Sequence, residues 1–127
     1  MGKKINVLVV DDAQSMRYVI KATLLSLGHY VQEASDGLEA LKLAKKSAFD
    51  LVLTDINMPN MNGFQLIEAL RDLQSYKFIP ILALTTQSDS VSKHKAKQLG
   101  ATGWIVKPFT PEQLTEIITK LTGASAA

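Results

Sequence analysis

The stretch Ile5-Asn6-Val7-Leu8-Val9-Val10-Asp11-Asp12 sets the reading of the whole chain. The run from Ile5 to Val10 is too short to cross a bilayer or to form the apolar part of a signal peptide, and two carboxylates end it abruptly. Apolarity that is continuous rather than alternating marks a strand buried on both faces, as in a parallel sheet covered by helices. Leu51 to Thr54, Ile81 to Leu84 and Trp104 to Val106 have the same character. Tyr30 to Ala34 is a fifth strand, more mixed because it contains Gln32 and Glu33, and it belongs at a sheet edge.

Segments of helical period separate these runs. The first carries Met16, Ile20, Leu24 and Leu27 on one face and stops at Gly28, a C-terminal signal. The second begins at Asp36 and carries Leu38, Leu41 and Ala44. The third follows Asn62-Gly63 with Phe64, Ile67 and Leu70; the helical period after Asn-Gly overrules the hairpin that this dipeptide otherwise suggests. The fourth, about Ser88 to Leu99, has a thin apolar face of Val91, Ala96 and Leu99, so weak anchorage lets it shift. The fifth opens with Thr110 as N-cap, Pro111 at the first helical position and Gln113 as capping-box partner, followed by Leu114, Ile117, Ile118 and Leu121.

Five βα repeats with right-handed crossovers predict an α/β fold: a doubly wound five-stranded parallel sheet with five helices, a three-layer sandwich. The strand order 2-1-3-4-5 is taken over from flavodoxin-like folds, and it puts a ligand crevice at the carboxyl ends of strands 1 and 3. The chain has 127 residues, 14 Lys+Arg against 12 Asp+Glu, a net charge of +2 and no Cys, which suits one domain over 1–127 and excludes disulfides and zinc thiolate sites. Hydrophobic residues at 46% and charged residues at 20% exclude a disordered tail or a collagen-like repeat. No linker or output domain is expected, only residues 123–127 read as frayed, and the predicted location is the cytoplasm, with no membrane insertion. Position six is Asn6, which argues against myristoylation of Gly2.

The chemistry collects at the strand ends. Asp11 and Asp12 close the first strand and Asp55 the third. Taken singly, each reads as an ordinary surface carboxylate; three at one sheet mouth do not. Two carboxylates about 4 Å apart repel by roughly 4 kcal/mol at an effective dielectric near 20, a large share of a small domain's stability. Either of two positive partners could offset this. One is a hard divalent cation, for which all-oxygen ligands favour Mg²⁺. The other is Lys107 at the end of the fifth strand, where the Lys107-Pro108 bond is open to the cis form at small cost. Thr85 adds a hydroxyl. A nucleophilic carboxylate, Mg²⁺, a hydroxyl and a Lys together suit phosphoryl transfer, in which an Asp accepts the group as an acyl phosphate.

These residues sit in five ordered motifs: Val-Val-Asp11-Asp12 followed by Met16-Arg17; Asp55-Ile-Asn-Met-Pro59-Asn-Met-Asn-Gly63; Pro80-Ile-Leu-Ala-Leu-Thr85; and Val106-Lys107-Pro108-Phe109. Over residues 4 to 122 the chain resembles the receiver domains of two-component response regulators, and within them the single-domain chemotaxis type. The resemblance implies that Asp55 is the phosphoacceptor, and that the Asp11, Asp12 and Asp55 side chains with the Asn57 backbone carbonyl hold Mg²⁺. It implies that Lys107 and Thr85 assist, and that Thr85 and Trp104 switch the face of helix 4, strand 5 and helix 5. Trp104 departs from the more usual Tyr or Phe, and Thr86 from a small Ala; with Asn57 and Gln87 these are the positions expected to tune rates. The implied partners are a chemotaxis-type histidine kinase as phosphoryl donor, a target such as the flagellar motor switch, and a phosphatase. A phosphorelay intermediate or a phosphate sink would carry the same site.

Other readings fit less well. A nucleotide- or flavin-binding domain needs a Gly- or hydroxyl-rich phosphate loop after strand 1, where two carboxylates stand instead. A haloacid-type phosphatase would space its two acids two residues apart and add a cap insertion. A phosphorylation-independent module tends to lose an acid, the Thr or the Lys. Lys93, Lys95 and Lys97 read as a solvated helix face; nucleic-acid binding would want interleaved aromatics there. His29 and His94 read as surface histidines, and Met58 and Met61 as packing over the site.

Overall fold

The computed structural model describes residues 3–86 and 90–123. Five parallel strands, β1 (Asn6–Val10), β2 (Tyr30–Ala34), β3 (Leu51–Asp55), β4 (Ile81–Thr85) and β5 (Gly103–Val106), form one sheet in the order β2-β1-β3-β4-β5. The helices are α1 (Gln14–Ser26), α2 (Gly37–Lys46), α3 (Gly63–Asp72), α4 (Ser90–Leu99) and α5 (Pro111–Thr122), with a 3₁₀ turn at Gln74–Tyr76. Both the three-layer architecture and the strand order are as the sequence predicts.

Alternation along each strand divides the core in two. Leu8, Val10, Val52, Ile81 and Ala83 face Ala40 and Ala44 of α2, Leu66, Ile67 and Leu70 of α3, and Ala96 of α4. Val7, Val9, Leu51, Leu53, Leu82 and Leu84 face Ile20 and Leu24 of α1 and Leu114 and Ile118 of α5. β1, β3 and β4 are thereby covered on both sides, which is why they read as unbroken apolar runs. β5 does not share that burial: it is the second sheet edge, and Gly103 to Val106 are all half-buried.

Local signals set most helix ends. Thr110 and Gln113 form the predicted capping box, with Pro111 in the first turn. Asn62 and Gln65 form a second one, each side chain accepting the other's backbone N–H at 2.9 Å, so Asn-Gly here opens α3. Asp36 caps α2 through the Glu39 N–H. Gly28 takes φ 90 just past α1, the left-handed conformation that favours glycine. α4 is described from Ser90, so the expected start at Ser88 lies outside the described residues, as do Gln87, Gly2 and the tail after Gly123.

Three expectations need correction. Leu38 is 46% exposed, because α2 turns its small residues Gly37, Ala40 and Ala44 inward and large-residue periodicity points elsewhere. His29 is buried, its Nδ1 accepting the Ile5 N–H at 3.3 Å at the amino edge of the sheet. Val91, expected on the apolar face of α4, is exposed, while Lys95 and Lys97 are solvated as expected; the Lys93 and Lys95 ammonium groups also stand 5.4 Å from the Trp104 ring and 4.5 Å from the Phe64 ring. α4 is otherwise thinly anchored, with Ala96 its one buried residue and Val91 75% exposed.

Arg71 of α3 ties the far end of α4 down. Its Nε and Nη2 donate to the Gly100 carbonyl at 2.9 and 2.7 Å, Nη1 to the Tyr76 and Ile79 carbonyls at 2.8 and 2.7 Å, and Nη2 also to Thr102 Oγ1 at 3.3 Å.

Candidate functional site

Register aligns the strand ends. Val10 pairs with Ala34 and Thr54, Asp55 with Leu84, and Thr85 with Val106, so Asp11, Asp55, Thr85 and Lys107 share the carboxyl edge of the sheet.

Asp11 is fully buried just past β1. Its N–H donates to the Ala34 carbonyl at 3.1 Å, while its Oδ1 accepts from the Ala13 N–H at 2.9 Å. Arg17 Nη1 donates to the Asp11 carbonyl at 2.6 Å and Nε pairs with Glu33 at 3.2 Å, fixing the start of α1 against β2. This clasp was not legible beforehand, because Arg17 and Glu33 meet only once β2 lies beside β1. Asp12 is exposed. Asp55 is 8% exposed, its Oδ1 accepting the Ile56 N–H at 2.8 Å. Carboxylate oxygens of Asp11, Asp12 and Asp55 lie within 4.8 Å of one another.

Lys107 lies between two of them, its Nζ donating to Asp11 Oδ2 at 2.7 Å and standing 3.4 Å from Asp55 Oδ1. Its N–H donates to the Thr85 carbonyl at 2.6 Å, and the Lys107–Pro108 peptide is cis. Burial, and next the Asp11 charge, push the Asp55 carboxyl above its ordinary value; the Lys107 ammonium pulls the other way without cancelling them. Three carboxylates and one ammonium leave two negative charges. A divalent cation with oxygen ligands matches that excess in sign, size and ligand preference, so the donor set fits Mg²⁺.

Gly63 closes the floor. Its N–H donates to the Ile56 carbonyl at 2.8 Å, and a Cβ there would overlap the Asp55 carbonyl oxygen and lie 2.7 Å from Ile56 Cα. The N-terminus of α3 therefore packs directly against the end of β3. Thr54 is buried as well, its hydroxyl donating to the Asp55 carbonyl at 2.8 Å.

The remaining candidates surround this centre. Thr85 is buried at the end of β4 and Thr86 is exposed beside it. Asn57 is exposed, with Met58 and Met61 packed against the α2/α3 core. Trp104 is half-buried on β5, paired with Ala83 and packed against the same core. Gln87 lies outside the described residues. Among the described residues no helix is long and apolar enough to cross a membrane.

The chain is similar to known proteins over nearly its whole length. The family model described as the response regulator receiver domain matches residues 7–119. Chemotaxis protein CheY-3 of Vibrio cholerae is 41% identical over 122 residues, covering 95% of this chain and 94% of that protein. The structure of the Vibrio cholerae chemotaxis response regulator CheY4 superposes with a TM-score of 0.90 at 44% identity, over 94% of this chain and 99% of that one. The receiver domain of a Pseudomonas aeruginosa sensor histidine kinase, with a magnesium ion coordinated in its active-site cleft, is 28% identical with a TM-score of 0.88, over 96% of this chain and 100% of that one.

Proposed function

The chain belongs to the response regulator receiver domain family, and from that premise we propose that it is a phosphoryl-accepting switch in chemotaxis or motility control. Asp55 is the acceptor, a histidine kinase the donor, and a motility target such as the flagellar motor switch the partner. The observation that carries this reading is the Lys107 ammonium held between Asp11 and Asp55 in a pocket with two uncompensated negative charges.

The step is an in-line displacement. An Asp55 carboxylate oxygen attacks the phosphorus of a phosphohistidine, the P–O bond forms as the P–N bond breaks, and the electron pair leaves on the imidazole nitrogen, which is neutralised by a proton. Asp11, Asp12 and Asp55, with the Asn57 carbonyl, are the residues that would hold Mg²⁺, which when bound supplies charge neutralisation for the incoming phosphoryl oxygens. Lys107 keeps Asp55 oriented and can follow the growing negative charge, and the Thr85 hydroxyl can donate to a phosphoryl oxygen after transfer. Water attack on the acyl phosphate resets the switch, with Asn57, Thr86 and Gln87 the positions that would tune its rate. The output is a change in the α4, β5 and α5 face.

Trp104 is the chain's single Trp and provides the test. Mg²⁺ with beryllofluoride is expected to change Trp104 fluorescence in wild type and not in Asp55→Ala. An unchanged signal, together with no base- and hydroxylamine-labile label after incubation with a phosphorylated histidine kinase, refutes the proposal.

A further inference from the structure

The connection between β3 and α3 is fastened from outside as well as from within. Internally, the Met61 N–H donates to the Pro59 carbonyl at 2.7 Å and the Gly63 N–H to the Ile56 carbonyl at 2.8 Å. From outside, the start of α2 lies directly on it. The Gly37 N–H donates to the Met61 carbonyl at 3.0 Å, and a Cβ at Gly37 would lie 2.5 Å from that oxygen and 2.7 Å from Met61 Cγ. Asp36 then divides its carboxylate. Oδ1 accepts the Glu39 N–H at 2.9 Å and caps α2, while Oδ2 accepts from Asn60 Nδ2 at 2.8 Å.

Asn60 stands at φ 66, the left-handed region that Asn visits more readily than most residues. Asn60 is therefore held by a side chain 24 positions away. An N-cap needs only one acceptor oxygen. The second is spent on the loop, and that loop carries Asn57. Asp36 lies outside the Asp11, Asp12 and Asp55 cluster, so it acts through the loop rather than on a cation.

We propose that Asp36 is a positioning residue for the cation site: through Asn60 it holds the 56–62 connection in the conformation in which Asn57 completes the ligand set of Asp11, Asp12 and Asp55. The inference rests on the proposed role of the Asn57 carbonyl. Asn60→Asp separates the two duties of this side chain, because Asp36 keeps its cap on the Glu39 N–H while two carboxylates now face each other; Asp36→Asn alone leaves the contact intact, since the Asn60 amide turns its oxygen toward the new NH₂. The pair Asp36→Asn with Asn60→Asp restores a donor facing an acceptor at unchanged net charge.

The experiment is calorimetric titration of the four proteins, wild type, both single variants and the double, with MgCl₂ as probe, alongside NMR exchange of the Gly37 amide. Asn60→Asp is expected to weaken Mg²⁺ binding about fivefold despite its added negative charge, the worth of one net hydrogen bond, and to speed Gly37 exchange. The double variant is expected to recover both to within about twofold, which a local effect of the residue 60 change alone would not do. Wild-type affinity in Asn60→Asp, or no recovery in the double variant, overturns the inference while leaving the cation site standing. No Mg²⁺ binding by wild type refutes the cation site and the inference with it.

Discussion

Removing the proposed phosphoacceptor should make the metal-free protein more stable. In Asp55→Asn the carboxylate that faces Asp11 within 4.8 Å becomes an amide, relieving a like-charge repulsion of about 3.5 kcal/mol at an effective dielectric of 20. The same change forfeits the Lys107 contact at 3.4 Å, about 5 kcal/mol on the same scale, although Lys107 keeps its shorter contact to Asp11. Asp12, also within 4.8 Å but exposed and so screened, adds a repulsion of about 1.5 kcal/mol, and with it the Coulomb contributions nearly cancel. What remains is the cost of burying the Asp55 charge, about 2 kcal/mol for a group that keeps a little solvent contact. The new amide retains an oxygen for the Ile56 N–H and turns a donor toward the neighbouring carboxylates.

Urea unfolding in EDTA at pH 7, followed by Trp104 fluorescence, should place Asp55→Asn about 2 kcal/mol above wild type, with Tm raised by roughly 6–10 °C. Two further arms fix the cause. The folded protein holds the Asp55 proton more tightly than the unfolded chain does, so the wild type's handicap is absent below the ordinary carboxyl value of 3.8 and develops as pH rises through the higher folded value. The gap between the proteins should therefore close on acidification. Mg²⁺ at ten times its Kd should stabilise wild type by about 1.4 kcal/mol and the variant by less. A variant no more stable than wild type in EDTA, or a gap indifferent to both pH and Mg²⁺, refutes the electrostatic account of the pocket.

His29 predicts the opposite pH trend. Burial holds its pKa below the ordinary 6.5, so the unfolded chain takes up this proton first, and wild type loses stability as pH falls below about 6.5. His29→Gln, which keeps an acceptor for the Ile5 N–H, should flatten that limb in urea titrations between pH 7.5 and 5; an unaltered limb excludes His29 as its source. Gly63→Ala should destabilise by about 2 kcal/mol or more, since the added Cβ meets backbone on Asp55 and Ile56 that cannot rotate away. Its unfolding midpoint decides the matter, and a near-neutral effect would mean that α3 is less tightly seated on β3 than described.

The sheet and its acidic rim were readable because they follow from local signals and one topological rule. Unbroken apolar runs gave the strands, and the strand order gathered Asp11, Asp55 and Lys107 at one edge. What escaped depended on distant partners. The polarity of His29 suggests solvent, and only the Ile5 backbone arriving above it makes burial affordable. Leu38 is turned outward because Gly37 must come within contact of Met61, a closeness no periodicity reports. Lys93 and Lys95 look like an ordinary polar face until Trp104 and Phe64 are brought under them. The bond between Asp36 and Asn60 joins two residues that read separately as cap and turn.

The grip of Arg71 on Gly100 and Thr102 gives α4 the mechanics of a door. Its ten residues make a rod about 15 Å long, held at the hinge post and, along its length, by one buried alanine and the Lys93 and Lys95 ring contacts. Turning such a rod by about 10° about its fixed end carries Ser90 through roughly 2.5 Å and leaves Gly100 almost where it was. Displacement is thus graded along the helix, and a partner touching the Ser90 and Val91 end feels a large change where one touching Leu99 feels nearly none.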